Sequence, residues 1–189
     1  LSSWNMVSVP MTPSPADVAT VFGSSVGVPV NARKWVSTGS TNQTGSFVTL
    51  SATDTVQSGV GYFLKSPDNN RFLNTAGSAN MAATFSIPLQ QGWNIVGNPY
   101  TKDIKLDTTC VSQNGGTGTC NSSANAANFK SYANAVAAGW VWNALYRWDG
   151  NTYTFRTYND PDPSLKAALQ LWQGYWLQVT DANPANVYT

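Results

Sequence analysis

The sequence predicts a mainly β fold: two pseudo-repeated β-rich units, sandwich- or barrel-like lobes, with two or three short helices and one disulfide loop. Three observations predict it. The chain repeats itself: Trp4-Asn5-Met6-Val7-Ser8-Val9-Pro10 returns 89 positions later as Trp93-Asn94-Ile95-Val96-Gly97-Asn98-Pro99. Gly61-Tyr62-Phe63-Leu64 and Lys34-Trp35 return 113 positions later, as Gly174-Tyr175-Trp176-Leu177 and Arg147-Trp148. Matches in the same order mark two copies of one structural unit, residues 1–82 and 83–189, and the larger second spacing places an insertion at about 101–139. The apolar runs are short and evenly punctuated by Gly and Pro, the pattern of sandwiches and barrels. A parallel α/β sheet would require a helix after every strand, and these are missing.

Each unit opens on a strand: Met6, Val7 and Val9 in the first, Ile95 and Val96 in the second, each bounded by a proline that cannot donate within a sheet. A helix follows in unit one, with Ser14 as its cap, Pro15 in the first turn, Val18, Val21 and Phe22 as its apolar stripe and Gly23 as its end. Strands are expected around 34–37, 47–51, 61–65 and 71–74, and in unit two around 144–148, 153–158 and 174–179. Asp149-Gly150-Asn151 is a hairpin turn between the first two of the latter. In the insertion, Ser122 or Ser123 caps an alanine-rich helix that carries Phe129, Tyr132, Ala133 and Val136 on one face and stops at Gly139. Residues 164–169 are expected to add a short helical turn beyond Pro161 and Pro163.

Charged residues make up 10% of the chain, against a typical ~25%. Histidine and glutamate are absent, and all nine acids are aspartates. A net charge of +1 without a basic run gives nucleic acid no electrostatic footprint. The longest apolar stretch, 135–142, is too short to cross a bilayer, so membrane insertion is not expected. Cys110 and Cys120 bracket a Gly-rich loop and read as a disulfide staple worth roughly 2–3 kcal/mol. Such a bond belongs to an oxidising compartment, and a weakly charged surface rich in Asn, Thr and Ser suits the same extracellular or cell-surface setting. The chain enters its first repeat directly from Leu1, without a signal peptide, and reads as a mature or trimmed form.

Catalysis finds little to work with. Ser–His and Cys–His systems need a base near neutral pKa, and no histidine supplies one. Zinc sites need clustered His or thiolate ligands. Glycoside hydrolysis needs two carboxylates, one of them protonated, and no Asp pair lies on an evident strand end. The chain reads as a non-enzyme. Calcium is the one cofactor kept open, because it takes oxygen ligands alone. Its candidate ligands are Asp68, Asn70, Asp160 and Asp162, with Asp103 and Asp107 beside them. The same residues also make ordinary turns, bonding their own backbone.

Eight Trp, eight Tyr and seven Phe exceed the needs of two small cores. Rings with a counterpart in the other unit, Trp4, Trp93, Trp35, Trp148, Tyr62 and Tyr175, are assigned to the core. Rings without one, Trp140, Trp142, Tyr146, Tyr153, Tyr158 and Trp172, form the candidate binding patch, Trp140 and Trp142 sharing a strand face. The competing reading is a larger core around the inserted helix. Exposed aromatic patches are recognition sites, and sugars offer apolar C–H faces that stack on rings. The function expected is a non-catalytic extracellular module binding a surface or polymer, a polysaccharide first. The alternative is a structural subunit of an extracellular filament or surface layer. Strand addition would assemble it: unit one lacks the strand that 84–89 places before Trp93, and the terminal strand around Val187-Tyr188 lacks a following partner if Phe72-Leu73 pairs with 85–87. An open edge of that kind accepts a strand from a neighbouring copy or another chain.

Gly92-Trp93-Asn94-Ile95-Val96-Gly97-Asn98-Pro99-Tyr100, with Gly174-Tyr175-Trp176 downstream, resembles the tandem GWN-L/I-V-x-x-P … GYW repeat modules of secreted and cell-surface bacterial proteins. The resemblance covers most of the chain. It implies an accessory module beside adhesive, enzymatic or anchoring domains, with no catalytic residues to carry over. Ser3 stands where that pattern has the glycine before Trp4, and the disulfide insertion is a second departure.

Overall fold

The computed structural model describes residues 3–39, 44–67, 72–182 and 185–188. The first unit runs β1 (Ser3–Ser8), β2 (Thr12–Pro13), α1 (Val18–Val26), β3 (Ala32–Ser37), β4 (Gly45–Thr49), β5 (Gly61–Ser66) and β6 (Gly77–Ser78). Then come β7 (Ser86–Leu89), β8 (Gly92–Gly97), β9 (Ile104–Lys105), a 3-10 turn (Leu106–Thr108), β10 (Cys110–Gln113), β11 (Asn125–Ala126), β12 (Phe129–Ser131) and α2 (Tyr132–Ala137). The chain closes with β13 (Ala144–Trp148), β14 (Tyr153–Thr157), β15 (Ala168–Leu169), β16 (Gly174–Val179) and β17 (Ala185–Tyr188).

Two four-stranded antiparallel sheets carry the architecture, ordered β1-β5-β3-β4 and β8-β16-β13-β14. Their registers agree as well as their order. Trp4 opposes Lys65 as Trp93 opposes Gln178, Met6 opposes Phe63 as Ile95 opposes Trp176, and Arg33 opposes Phe63 as Tyr146 opposes Trp176. Strands have a two-residue period, so each sheet has two apolar faces to cover. The outer face of the first is closed by α1, whose Val18, Val21 and Phe22 are buried with Val7, Ala32, Tyr62 and Leu64. Each such side chain contributes roughly 1.5–3 kcal/mol when fully removed from water. The outer face of the second is closed by α2 and by a third sheet, ordered β11-β12-β10-β17-β7. The inner faces meet each other around Met6, Phe63 and Ile95, flanked by Trp4, Trp35, Trp148 and Trp176.

The junction between the sheets is reciprocal. Trp35 Nε1 donates to the Trp93 carbonyl at 2.7 Å, and Trp148 Nε1 donates to the Trp4 carbonyl at 3.0 Å. The Ser8 amide donates to the Trp172 carbonyl at 3.0 Å, and the Gly97 amide to the Gly59 carbonyl at 2.9 Å. Glycine is required where the strands cross. A Cβ on Gly174 would lie 2.9 Å from the Val7 carbonyl oxygen, and one on Gly61 would meet Ile95 and the Val96 carbonyl.

Several expectations are corrected. Helix α1 starts later and runs longer: Asp17 rather than Ser14 caps it, accepting from the Thr20 amide at 2.9 Å, and it passes through Gly23 to end at Gly27, φ 85°. The inserted helix does not begin at Ser122 or Ser123. Phe129–Ser131 is a strand on Cys110–Ser112, and only Tyr132–Ala137 is helical, capped by Ser131. Alanine content favours a helix, but here the ladder to β10 and the disulfide Cys110–Cys120, with Cα atoms 5.5 Å apart, claim the backbone first. No helical turn forms at 164–169, where Ala168–Leu169 pairs with Ile104–Lys105 instead. Residue 71 lies outside the described residues and 72–74 is no strand. The terminal strand β17 is held on both sides, by β10 and by β7, so Phe85–Ile87 does not pair with Phe72–Leu73.

Candidate functional site

The inner faces of the two main sheets do not cover each other completely. Where β3 meets β8, the hydrogen bond from Trp35 to the Trp93 backbone sets a ring of the first sheet against a strand of the second. Trp176, on the neighbouring strand β16, stands edge-on to both indoles, 5.1 Å from Trp35 and 6.2 Å from Trp93. Tyr146, directly opposite Trp176 on β13, packs its ring 5.6 Å from Trp93. Tyr153 on the edge strand β14 accepts a hydrogen bond from Trp176 Nε1 at 3.4 Å. Trp35, Trp93, Tyr146, Tyr153 and Trp176 together line a groove of about 520 Å³ with no charged side chain in its wall. Phe155 continues the aromatic surface from Tyr146, at 5.6 Å, and is 64% exposed.

The equivalent positions of the other sheet are built differently. There Trp4 stands for Trp93, Phe63 for Trp176 and Arg33 for Tyr146. The Arg33 guanidinium lies 4.8 Å over the Trp4 ring, a cation–π contact. Arg33 thus covers the ring face whose counterpart, on Trp93, is edged by Tyr146.

The six rings expected to form one binding patch are dispersed. Tyr146 and Tyr153 enter the groove. Trp140 is buried in the core of the second unit, under Lys130 at 5.0 Å, while Trp142, two residues on, is 45% exposed, so the two do not share an environment. Tyr158 packs on buried Tyr132 at 5.6 Å, as the larger-core reading expects. Trp172 lines a separate cleft beside the first unit. Trp35 and Trp93, which their presence in both copies assigns to the core, are instead half-buried and form the groove wall. The signal that could have found the site is the change between copies: Phe63 becomes Trp176 and Arg33 becomes Tyr146.

Of the calcium candidates, Asp68 and Asn70 lie outside the described residues. Asp160 and Asp162 are spent on a turn: Asp160 accepts from the Asp162 amide at 3.0 Å, and Asp162 from the Ser164 amide and hydroxyl at 2.8 and 2.7 Å. The Ser164 hydrogen bonds hold the Asp162 carboxyl below the usual carboxylate range. Asp103 accepts from the Leu171 amide, and Asp107 pairs with Lys166 at 2.9 Å. The described residues bring no three His, Cys, Asp or Glu ligands together. Among them, too, no helix is long and apolar enough to cross a membrane. Comparison with protein-family models, with curated proteins and with solved structures returned no match, and the functional reading therefore stands on the geometry of the groove.

Proposed function

We propose that this chain is a non-catalytic extracellular module that binds carbohydrate, with the groove of Trp35, Trp93, Tyr146, Tyr153 and Trp176 as its ligand site. The observation that carries the reading is a concave wall made of five aromatic rings and no charged group. Pyranose rings present apolar C–H faces that such rings desolvate, while the indole N–H and phenol hydroxyl groups give polar contacts at the margin. The wall has no carboxylate pair of the kind glycoside hydrolysis uses, which fits binding without turnover. The open aromatic extension over Phe155 suits a polymer passing across the groove better than a small molecule enclosed in it. The disulfide supports an oxidising, extracellular setting.

Isothermal titration with a panel of soluble oligosaccharides tests the reading. At least one neutral oligosaccharide should bind, and Tyr153→Ala, at a half-exposed position, should weaken it about tenfold while leaving the melting temperature nearly unchanged. Uniform silence across the panel would overturn the proposal.

A further inference from the structure

We infer that a pocket on the outer face of the second main sheet, away from the aromatic groove, binds a sugar acid: one carboxylate on a hydroxylated ring. The inference does not rest on the reading of the groove. Strands alternate their faces. Tyr146, Tyr153 and Trp176 serve the groove, while Leu145, Arg147, Thr154, Arg156 and Tyr175 of the same three strands turn the other way. Arg156 stands directly opposite Leu145, and Thr154 opposite Arg147. The short pair of β9 and β15 completes the wall, with Lys105 on β9, Asp103 just before it and Gln170 just after β15. The pocket holds about 420 Å³, within the range of small-molecule sites.

The first unit shows that this face need not be cationic. At the spacing of the repeat, Leu145 corresponds to Ala32 and Arg147 to Lys34. Lys34 pairs with Val48, and the Leu50 amide donates to the Ala32 carbonyl, so Val48 and Leu50 stand where the second unit has Thr154 and Arg156. Leu50 is buried in the cluster that α1 closes. The second copy thus carries an arginine in place of a core leucine.

A chain with few charges concentrates them here. Four of its ten basic side chains line the pocket: Lys105, Arg147, Arg156 and Lys166. Lys166 is engaged by Asp107 at 2.9 Å. Arg156 Nη1 donates to the Ser164 carbonyl at 2.7 Å, which steadies that guanidinium. Arg147 makes no hydrogen bond or ion pair among the described residues, and its Nε is buried without a partner. Buried polar groups are almost always paired, and a planar guanidinium fork matches a carboxylate. At the base of the pocket the Tyr175 hydroxyl donates to Gln170 Oε1 at 3.0 Å. Burial raises that hydroxyl, and the charges of Arg147, Asp103 and Arg156 all act on it, so the three converge on one point.

The acids nearby set the charge of the ligand. Asp149 and Asp162 are held below the usual carboxylate range first by hydrogen bonds from Thr152 and Ser164, and then by Arg147 and Arg156. Asp103 reaches the lining itself, with Oδ1 accepting from the Leu171 amide at 3.0 Å. These offset part of the basic charge, and a dianion would face Asp103, so one negative charge fits best. A bare carboxylate would leave most of the volume unused. Asp103, Thr154 and Gln170 supply partners for hydroxyl groups.

The experiment titrates D-glucuronate and D-galacturonate into the intact protein, followed by chemical shifts, with glucose, acetate and inorganic phosphate as controls. At least one hexuronate should bind saturably, about tenfold more tightly than any control. It should shift Arg156, Gln170 and Tyr175 and leave the groove residues still. Arg156→Leu, which installs the first copy's residue at an exposed position, should weaken binding about tenfold. Lys105→Gln, also exposed, gives the same readout should that variant fail to fold. Tyr153→Ala should leave hexuronate binding unchanged, which separates this pocket from the groove. Lack of saturation by both hexuronates, shifts confined to the groove, a control that binds as tightly, or unchanged affinity in the folded variants would each overturn the inference.

Discussion

Single residues at the sheet junction set limits that composition alone does not reveal. Gly61 and Gly174 belong to the repeated motif because the opposite unit's backbone passes where a Cβ would stand. Gly174→Ala should destabilise the fold by about 2 kcal/mol, the scale of overpacking, measurable by urea denaturation, although alanine suits a strand at least as well as glycine does. The buried tyrosines make a pH prediction. Burial pushes the Tyr62 hydroxyl up to about 12, opposed only in part by the hydrogen bond its oxygen accepts from the Gln57 amide. Burial raises Tyr132 further, and its hydroxyl donates to the Trp142 carbonyl at 2.7 Å. Both stay protonated in the folded chain at pH values where the unfolded chain, titrating near 10, has lost those protons. The folded state then holds more protons, so stability is full below about pH 10 and falls as pH rises towards 12. Absorbance at the tyrosinate band should show Tyr62 and Tyr132 ionising only with unfolding. The chain has no His or Glu and its cysteines are bonded, so no side chain with an ordinary pKa titrates between about pH 5 and 9, and stability should be flat there.

Among elements, β3 and β13 each send one indole N–H across to the other sheet. Trp35→Phe and Trp148→Phe should each cost about 1 kcal/mol, the net worth of one hydrogen bond. A double-mutant cycle in chemical denaturation should find them nearly additive, because each bond ends on a different strand. Reducing Cys110–Cys120 should remove about 2–3 kcal/mol by the same assay. The strands were largely legible in the sequence: 61–65, 144–148 and 174–179 fall within a residue of β5, β13 and β16, because short apolar runs flanked by Gly and Pro have few other uses. The insertion was not. Its alanines argue for a local helix, and only the pairing of Phe129–Ser131 with β10, a contact distant in sequence, decides otherwise. The site was half legible for a related reason. Tyr146 and Tyr153 stood out as unmatched rings, whereas Trp35, Trp93 and Trp176 belong to the repeated motifs, and only the offset packing of the two sheets leaves their faces partly uncovered.

At the scale of the whole molecule, the inner faces of both sheets close only on each other, around Met6, Phe63 and Ile95. Calorimetry should therefore record one unfolding transition, and fragments 1–82 and 83–189 expressed apart should expose that apolar face and bind a hydrophobic dye. Two separable transitions would show instead that the lobes are autonomous. One contact at this junction also gives the pairing a direction. Ser8 and Gly97 occupy matching positions and face each other, and a Cβ on Gly97 would collide with that of Ser8. There is room for one hydroxymethyl group and not for two. Two first units brought together in the same arrangement would set Ser8 against Ser8 and be refused, while two second units would meet glycine to glycine without obstruction. Pairing of like units between molecules is thus barred from one side by a single side chain, whereas a domain swap, which rebuilds the Ser8–Gly97 contact, is not. Ser8→Gly should lift the bar, and light scattering at high concentration should then find dimers joined first unit to first unit that the parent chain does not form.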